Sequence, residues 1–359
     1  MHNLIFIYVI KDTRHFIFRK HTLVIDNVTK QYSQWQRSGH ARDILKNMLH
    51  PQKRIITALD HLSFEVAPGE FVAYAGANGA GKSTTIKILS GILSPSEGTV
   101  SVSGLSPVTD RIELMRHIGV LFGQRTELWW DHPIITSFEW KKEVWGIPED
   151  IYKKNLSLVT ELLDLEDILR TFARELSLGQ RMRADIGMLL LHDPSVIFLD
   201  EPTLGLDVLA KQQMIHFLKE INRECGTTIV VTSHDMDDLE EMAQRIILLN
   251  KGQIAFDGNF DKLRNTAGAC SRIVVTMKNP DSKKQSLTSD KALTAPTIPG
   301  LQLLSSNEGI YEYEFNRSQT EIHEVLGNLA GFQGIEDVEI RRAPIEDVIA
   351  RLYLSWKKS

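Results

Sequence analysis

The stretch GANGAGKS, running from Gly76 to Ser83, constrains this chain more than any other. It fits the pattern G-x-x-x-x-G-K-[ST]. The apolar run FVAYAG leads straight into it, and the helical run KSTTIKILSGI leads out of it. A strand, a glycine turn and a helix in that order make a seat for phosphate. Glycines let the backbone curl until several N–H groups face one anion. The helix N-terminus adds a partial positive charge. Gly76, Asn78, Gly79, Ala80, Gly81 and Thr84 are the expected cradle, Lys82 is expected to reach the β- and γ-phosphates, and Ser83 is expected to ligate Mg²⁺.

A strand–loop–helix unit of this kind needs a sheet around it. From TLVIDNV to GQIAFDG the chain alternates apolar runs with helical ones, the pattern of a mainly parallel sheet covered by helices. FVAYAG, IGVLF, SVIFLD and TTIVVTSH are short and apolar, as strands buried on both faces must be. Residues 33–54 interrupt the pattern with an insert in which Ile44, Leu45, Met48 and Leu49 share one helical face among basic residues. That face either packs locally or lies against a membrane or partner. Residues 1–20 read as an N-terminal extension of unassigned role, and their apolar run LIFIYVI is too short to span a bilayer. The expected main domain is 21–259, and 260–359 is expected to be a small α+β accessory domain. That domain should hold a polar, proline-bearing loop, strands at GIYEYEF and IEDVEIR, a helix with Ile322, Val325, Leu326 and Leu329 on one face, and a helix begun by Pro344. The net charge of -5 argues against a nucleic-acid partner, and two cysteines, Cys225 and Cys270, point to a reducing compartment.

Three further strand ends carry chemistry. VIFLDEP closes an apolar run with two acids, at the edge where open α/β sheets bind ligands. Asp200 is expected to hold Mg²⁺ as the acidic partner of Ser83, and Glu201 to act as general base toward water. The alternative is a solvated strand end with helix-capping acids. His234, ending TTIVVTSH, is read as a γ-phosphate contact, against a structural histidine. Gln124, in LFGQRTEL, is read as a contact to Mg²⁺ and the attacking water, against a plain polar loop residue.

With these motifs in place, residues 22–260 resemble the nucleotide-binding subunit of ATP-binding cassette (ABC) transporters. The resemblance rests on GANGAGKST, FGQ, LSLGQ, FLDEPTLGLD and TSHDM, in the family's order. LSLGQ is the most specific of them, although Leu178 stands where the usual pattern has glycine. The resemblance implies an α/β P-loop ATPase with a mainly parallel core sheet, an antiparallel β subdomain and a helical subdomain over about 125–190 that bears LSLGQ. It implies ATP and Mg²⁺ as ligands and a second copy, or a related ATPase subunit, as partner, with two ATPs sandwiched head-to-tail. Ser177, Gly179 and Gln180 would then cap the partner's ATP, with a helix starting at about Gln180. Asp207 would lie across the dimer interface, and Tyr32 would stack on adenine, with Trp35 as its rival.

A narrower resemblance, on FGQRTELWWDHPIITSFE, LSLGQRMRADIGMLLLHDP and SHDMDDLE, is to bacterial ATPases that serve separate ABC-2 type permeases. It implies export, on the cytoplasmic face of the inner membrane, with the cargo chosen by the permeases. An importer ATPase shares the chemistry and is the alternative. A soluble ABC ATPase is the third reading, but one cassette without long heptads fits neither the ribosomal nor the DNA-repair type. Trp129, Trp130, Trp140 and Trp145 crowd the segment after FGQ and are read as core, as a permease dock, or as both.

Overall fold

The structure is a computed structural model that describes residues 22–35, 53–123, 125–266, 268, 270–277, 297–307, 309–317, 319–332 and 334–358. The expectations for residues 1–20, for Gln124, for 36–52 of the insert and for 278–296 of the accessory-domain loop lie outside the described residues. Two compact units divide the chain, the first ending at Gly258 and the second beginning at Asn259.

The strands of the first unit are β1 (Leu23–Trp35), β2 (Lys53–Val66), β3 (Phe71–Gly76), β4 (Glu97–Val102), β5 (Ile118–Phe122), β6 (Val196–Asp200), β7 (Thr228–Thr232), β8 (Arg245–Asn250) and β9 (Gln253–Gly258). Its described helices are α1 (Lys82–Leu89), α2 (Arg111–Met115), α3 (Ile134–Trp145), α4 (Glu149–Leu162), α5 (Leu178–Leu190), α6 (Val208–Cys225) and α7 (Met236–Met242).

The main sheet runs β5-β6-β7-β3-β8-β9. Five strands pair in parallel and β9 joins β8 antiparallel. Every residue of β3 and β7 is buried, which is why both read as unbroken apolar runs. Parallel neighbours need crossovers, so β3, β6 and β7 all end at one edge. The glycine loop, Asp200–Glu201 and Ser233–His234 follow those ends directly. The α/β class and mainly parallel sheet inferred from the sequence are what the chain adopts.

A smaller antiparallel sheet, β2-β1-β4, completes the unit. Tyr32 pairs with Ile56, Ser33 with Ile55 and Trp35 with Lys53. Residues 33–35 and 53–54 are therefore strand rather than insert. The pairing register carries the ladder beyond Tyr32, which alternation alone did not reveal.

α1 has eight residues and would not persist alone. Ile86, Ile88 and Leu89 are almost wholly buried, and each such burial contributes about 1.5–3 kcal/mol. They pack with Tyr74, Phe198 and Leu249. The Tyr74 hydroxyl also donates to Thr85 Oγ1 at 2.9 Å, tying the first turn of α1 to β3. Packing therefore sets where Lys82 and Ser83 stand.

The second unit holds α8 (Phe260–Thr266), β10 (Cys270–Met277), β11 (Gln302–Asn307), β12 (Ile310–Asn316), α9 (Ile322–Ala330), β13 (Ile335–Arg342) and α10 (Ile345–Lys358). Its antiparallel sheet runs β11-β12-β10-β13. Ile273, Val275, Tyr311, Tyr313 and Phe315 form a core with Val325 and Leu329 of α9. α10 reaches the alternate residues of the strands: Asp347 pairs with Arg272, and Arg351 with Glu314. The four-residue apolar face expected on α9 is only half used, since Ile322 and Leu326 are exposed. Val325 and Leu329 are the pair that packs into the sheet's core.

In the first unit, His192 links the helices to the sheet. Its Nε2 lies 2.9 Å from Ile118 O, and its ring lies 4.5 Å from that of Trp145. Loss of solvent around the ring, followed by the nearby Lys141 charge, lowers its pKa from 6.5 to about 4. The unfolded chain takes up that proton at about 6.5 and the folded one only near 4, so stability is lost as pH falls through this window. His192→Gln should lack this loss. Denaturant melts of parent and variant from pH 7 to pH 4 should show the parent losing stability relative to the variant as the solution is acidified.

Candidate functional site

The glycine loop has the backbone that the motif demands. Gly81 sits at φ 112° as the N-cap of α1. A Cβ there would come within 2.5 Å of Leu59 Cδ2 and 2.8 Å of Ala58 O. One on Gly76, at φ 156°, would come within 2.8 Å of Leu249 O. Side chains at either position would force the loop off β2 and β8. Asn78 and Gly79 are exposed at the loop's crest, and Thr84 is half-buried on α1. Ala80 is buried and its carbonyl accepts from Gly252 N at 3.0 Å.

Lys82 is 7% exposed. Its Nζ donates to Gly76 O at 2.6 Å and Ala77 O at 3.4 Å. Loss of solvent lowers its pKa, and the charges of Glu201 and Asp200 act against that. Burying an ammonium costs several kcal/mol unless charge offsets it. Two carbonyls and two nearby acids do so in part, and a phosphate would do so more fully.

Ser83 and the acids meet at the same edge. Ser83 Oγ donates to Asp200 Oδ2 at 3.1 Å, and Thr232 Oγ1 donates to Asp200 Oδ1 at 2.6 Å. A hydroxyl beside a carboxylate is an all-oxygen donor set, which suits a hard cation such as Mg²⁺. Glu201 lies one residue on, at φ 60°, unusual for a residue with a side chain. Its N–H donates to Thr232 O at 3.1 Å and Thr232 Oγ1 at 3.2 Å, and these bonds hold the turn. The turn brings Glu201 Oε1 to 2.6 Å from His234 Nε2. Lys82, Ser83, Asp200, Glu201 and His234 thus converge at one sheet edge. Thr232, which grips both acids, was not singled out from sequence. Its signal was its place one strand-end over from Asp200, visible only once β6 and β7 are paired.

The LSLGQ segment forms a separate feature. Ser177 is the N-cap of α5, so the helix begins at Leu178 rather than at about Gln180. The reason is a capping box: Ser177 Oγ accepts from Gln180 N at 3.2 Å, and Gln180 Oε1 accepts from Ser177 N at 3.0 Å. Accepting leaves the serine's one O–H proton to donate elsewhere. Gly179 lies in the first turn, where a Cβ would come within 3.1 Å of Ala210 Cβ. Asp207 caps α6 by accepting from Ala210 N at 2.8 Å. Leu204, Val208 and Leu209 beside it are exposed. Tyr32 is half-buried on β1, opposite Ile56, with Lys30 Nζ 5.4 Å from its ring centre.

The segment after residue 124 is braced on both sides. Asp185 of α5 accepts from Thr126 Oγ1 at 2.8 Å and from Glu127 N at 3.1 Å. Its burial, only partly opposed by those bonds, raises its pKa to about 6. Lys141 of α3 lies 3.3 Å from Glu127 Oε2, and Trp129 N donates to Ser137 Oγ at 2.9 Å. Of the four tryptophans, Trp129, Trp130 and Trp140 are exposed at the surface, with the Trp129 and Trp140 rings 5.2 Å apart, while Trp145 is half-buried against His192.

Comparison with known proteins agrees with this geometry. Residues 59–204 match the family model described as ABC transporter. The chain is 33% identical over 206 residues to the energy-coupling factor transporter ATP-binding protein EcfA2 of Clostridium perfringens, covering 56% of this chain and 72% of that protein. It is 32% identical over 221 residues to the methionine import ATP-binding protein MetN of Carboxydothermus hydrogenoformans, covering 60% of this chain and 65% of that one. A solved ATP-binding cassette, a dimer in a post-hydrolysis state bound to ADP and Pi, superposes with a TM-score of 0.54 at 25% identity, over 66% of this chain and 98% of that one. This chain belongs to the ABC transporter family. Three curated relatives are longer than the stretch they share with it, which spans 31%, 64% and 65% of their lengths.

Lys82→Ala should keep the fold, because its ammonium faces loop carbonyls and acids rather than apolar core. ATP binding or turnover should collapse, by about two orders of magnitude in turnover for a lost charge stabiliser at a phosphate. Equilibrium binding of a fluorescent ATP analogue beside a circular-dichroism melt tests both halves.

Proposed function

We propose that this protein is an ATP-binding and ATP-hydrolysing subunit that pairs head-to-tail with a second copy, or a related subunit, around two ATPs. The pair would drive export through separate membrane permease subunits of the ABC-2 type, from the cytoplasmic face of the inner membrane. The observation that carries the reading is the convergence of Lys82, Ser83, Asp200, Glu201 and His234 at one sheet edge.

Each residue has a task that its surroundings support. The loop N–H groups and Lys82 would bind the phosphates. Ser83 and Asp200 would hold Mg²⁺, with Gln124 as the further ligand expected from the sequence. When bound, Mg²⁺ supplies positive charge that eases phosphoryl transfer to water. Glu201 would take a proton from that water as general base. His234, donating through Nε2, would hold the Glu201 carboxylate in place and reach the γ-phosphate. Tyr32 would stack on the adenine.

The dimer part rests on the LSLGQ loop and on Asp207. Ser177, with a hydroxyl proton to donate, and the first-turn N–H of Gly179 would face the partner's γ-phosphate, with Gln180 setting the cap that presents them. Exposed Leu204, Val208 and Leu209 around Asp207 form an apolar patch that a second copy would cover. The permease part rests on exposed Trp129, Trp130 and Trp140, aromatic anchors of the kind enriched at interfaces. No helix among the described residues is long and apolar enough to cross a membrane. Import is the second reading, favoured by the likeness to a relative named as a methionine import protein.

Glu201→Gln keeps size and the loop geometry but removes the base. ATP should still bind, and turnover should fall by about two orders of magnitude or more. Steady-state phosphate release at saturating ATP checks this, and near-parent turnover would reassign Glu201. For the shared site, cysteines replacing Ser83 and Ser177 should crosslink between chains when ATP is present. A crosslink confined to single chains, read on a denaturing gel, would refute the head-to-tail pair.

A further inference from the structure

Lys211 stands one turn after Asp207, on the same helix α6. Its Nζ lies 2.6 Å from Asp235 Oδ2 and 3.1 Å from Asp238 Oδ1. Asp235 directly follows His234 and is the N-cap of α7, accepting from Asp238 N at 3.1 Å. The N–H of Asp235 donates to Ser233 Oγ at 3.0 Å. The residues on either side of His234 are thus held to each other, and Lys211 holds one of them to α6. His234 itself meets Glu201 at 2.6 Å.

The energetics set this contact apart from a surface ion pair. An exposed ion pair contributes little, because water screens it. Asp238, however, is only 5% exposed, and Lys211 is the cation that reaches it. Removing that cation strands a buried carboxylate in the first turn of α7, which costs more than a surface pair and disturbs the turn that fixes His234.

We propose that Lys211 is a positioning residue: through Asp235 it fixes His234 against Glu201 and ties that pair to the Asp207 end of α6. The inference rests on the ATPase reading. In it, the helix that starts at Asp207 transmits its position to the hydrolytic pair through one ammonium, so closure against a second copy and alignment of His234 become coupled events.

The test uses the full chain with Lys211→Met, Lys211→Arg and Asp235→Asn, the last of which still caps α7. Two quantities are read: ATP turnover as a function of ATP concentration, and the ¹⁵N-histidine NMR signal of His234, assigned by its loss in His234→Ala. Lys211→Met should lower kcat about tenfold while KM for ATP stays within about twofold. The His234 signal should move while the signals of the other histidines stay in place. Lys211→Arg should restore both readouts, and Asp235→Asn, which keeps the Lys211–Asp238 contact, should shift both in the same direction as the methionine variant. A folded Lys211→Met with unchanged kcat, or with lowered kcat and an unmoved His234 signal, overturns the proposal. If Lys211→Met does not fold, Asp235→Asn decides by the same criteria. If the parent hydrolyses no ATP, the ATPase reading is what fails, and the His234 signal still decides the positioning role.

Discussion

Parallel pairing of β3, β6 and β7 is the constraint on which the rest of the molecule depends. Parallel strands point their carboxyl ends the same way, so the segments leaving them must share one edge. The glycine loop, the two acids and His234 come from positions far apart in the chain, and this pairing alone makes them neighbours. Thr232 shows how closely it does so. The register that sets Asp200 opposite Thr232 puts one hydroxyl between both acids, donating to Asp200 and accepting from the Glu201 N–H.

That edge is costly to build. Glu201 adopts a positive φ, and Lys82 is buried with its pKa depressed. Residues held in sparsely populated backbone regions cost about 1–3 kcal/mol each. The apolar sheet offsets this. Tyr74, Phe198, Ile86, Leu89 and Leu249 pack behind the site, and each buried side chain contributes on the order of 1.5–3 kcal/mol. A few strained polar positions supported by many ordinary apolar contacts is the balance expected where chemistry is done.

Around this rigid edge the polar contacts tie elements in pairs. Asp185 joins α5 to the segment at Thr126 and Glu127, and Lys141 and Ser137 join α3 to the same segment. Lys211 joins α6 to α7. Each tie links a loop expected to touch nucleotide with a helix expected to touch another chain.

The sequence by itself determined the features that need contiguous residues. GANGAGKS could be read outright because curling a backbone around phosphate needs glycines, a lysine and a hydroxyl at fixed spacing. The buried strands were legible as continuous apolar runs. The capping box at Ser177 and Gln180 is also written in the sequence as S-x-x-Q, and it starts the helix at Leu178, ahead of the expected start at about Gln180. The tertiary structure alone decided the contacts that cross the chain. Strand order set Thr232 between the acids. The pairing of β1 with β2 carried strand into the ends of the insert. Packing of α9 on the second unit's sheet buried Val325 and Leu329 and left Ile322 and Leu326 exposed. Lys211 found its two acids through the packing of α6 on α7. The physical reason is common to these cases: local spacing fixes backbone geometry within one element, whereas register and packing depend on surfaces that meet only when the whole sheet has formed.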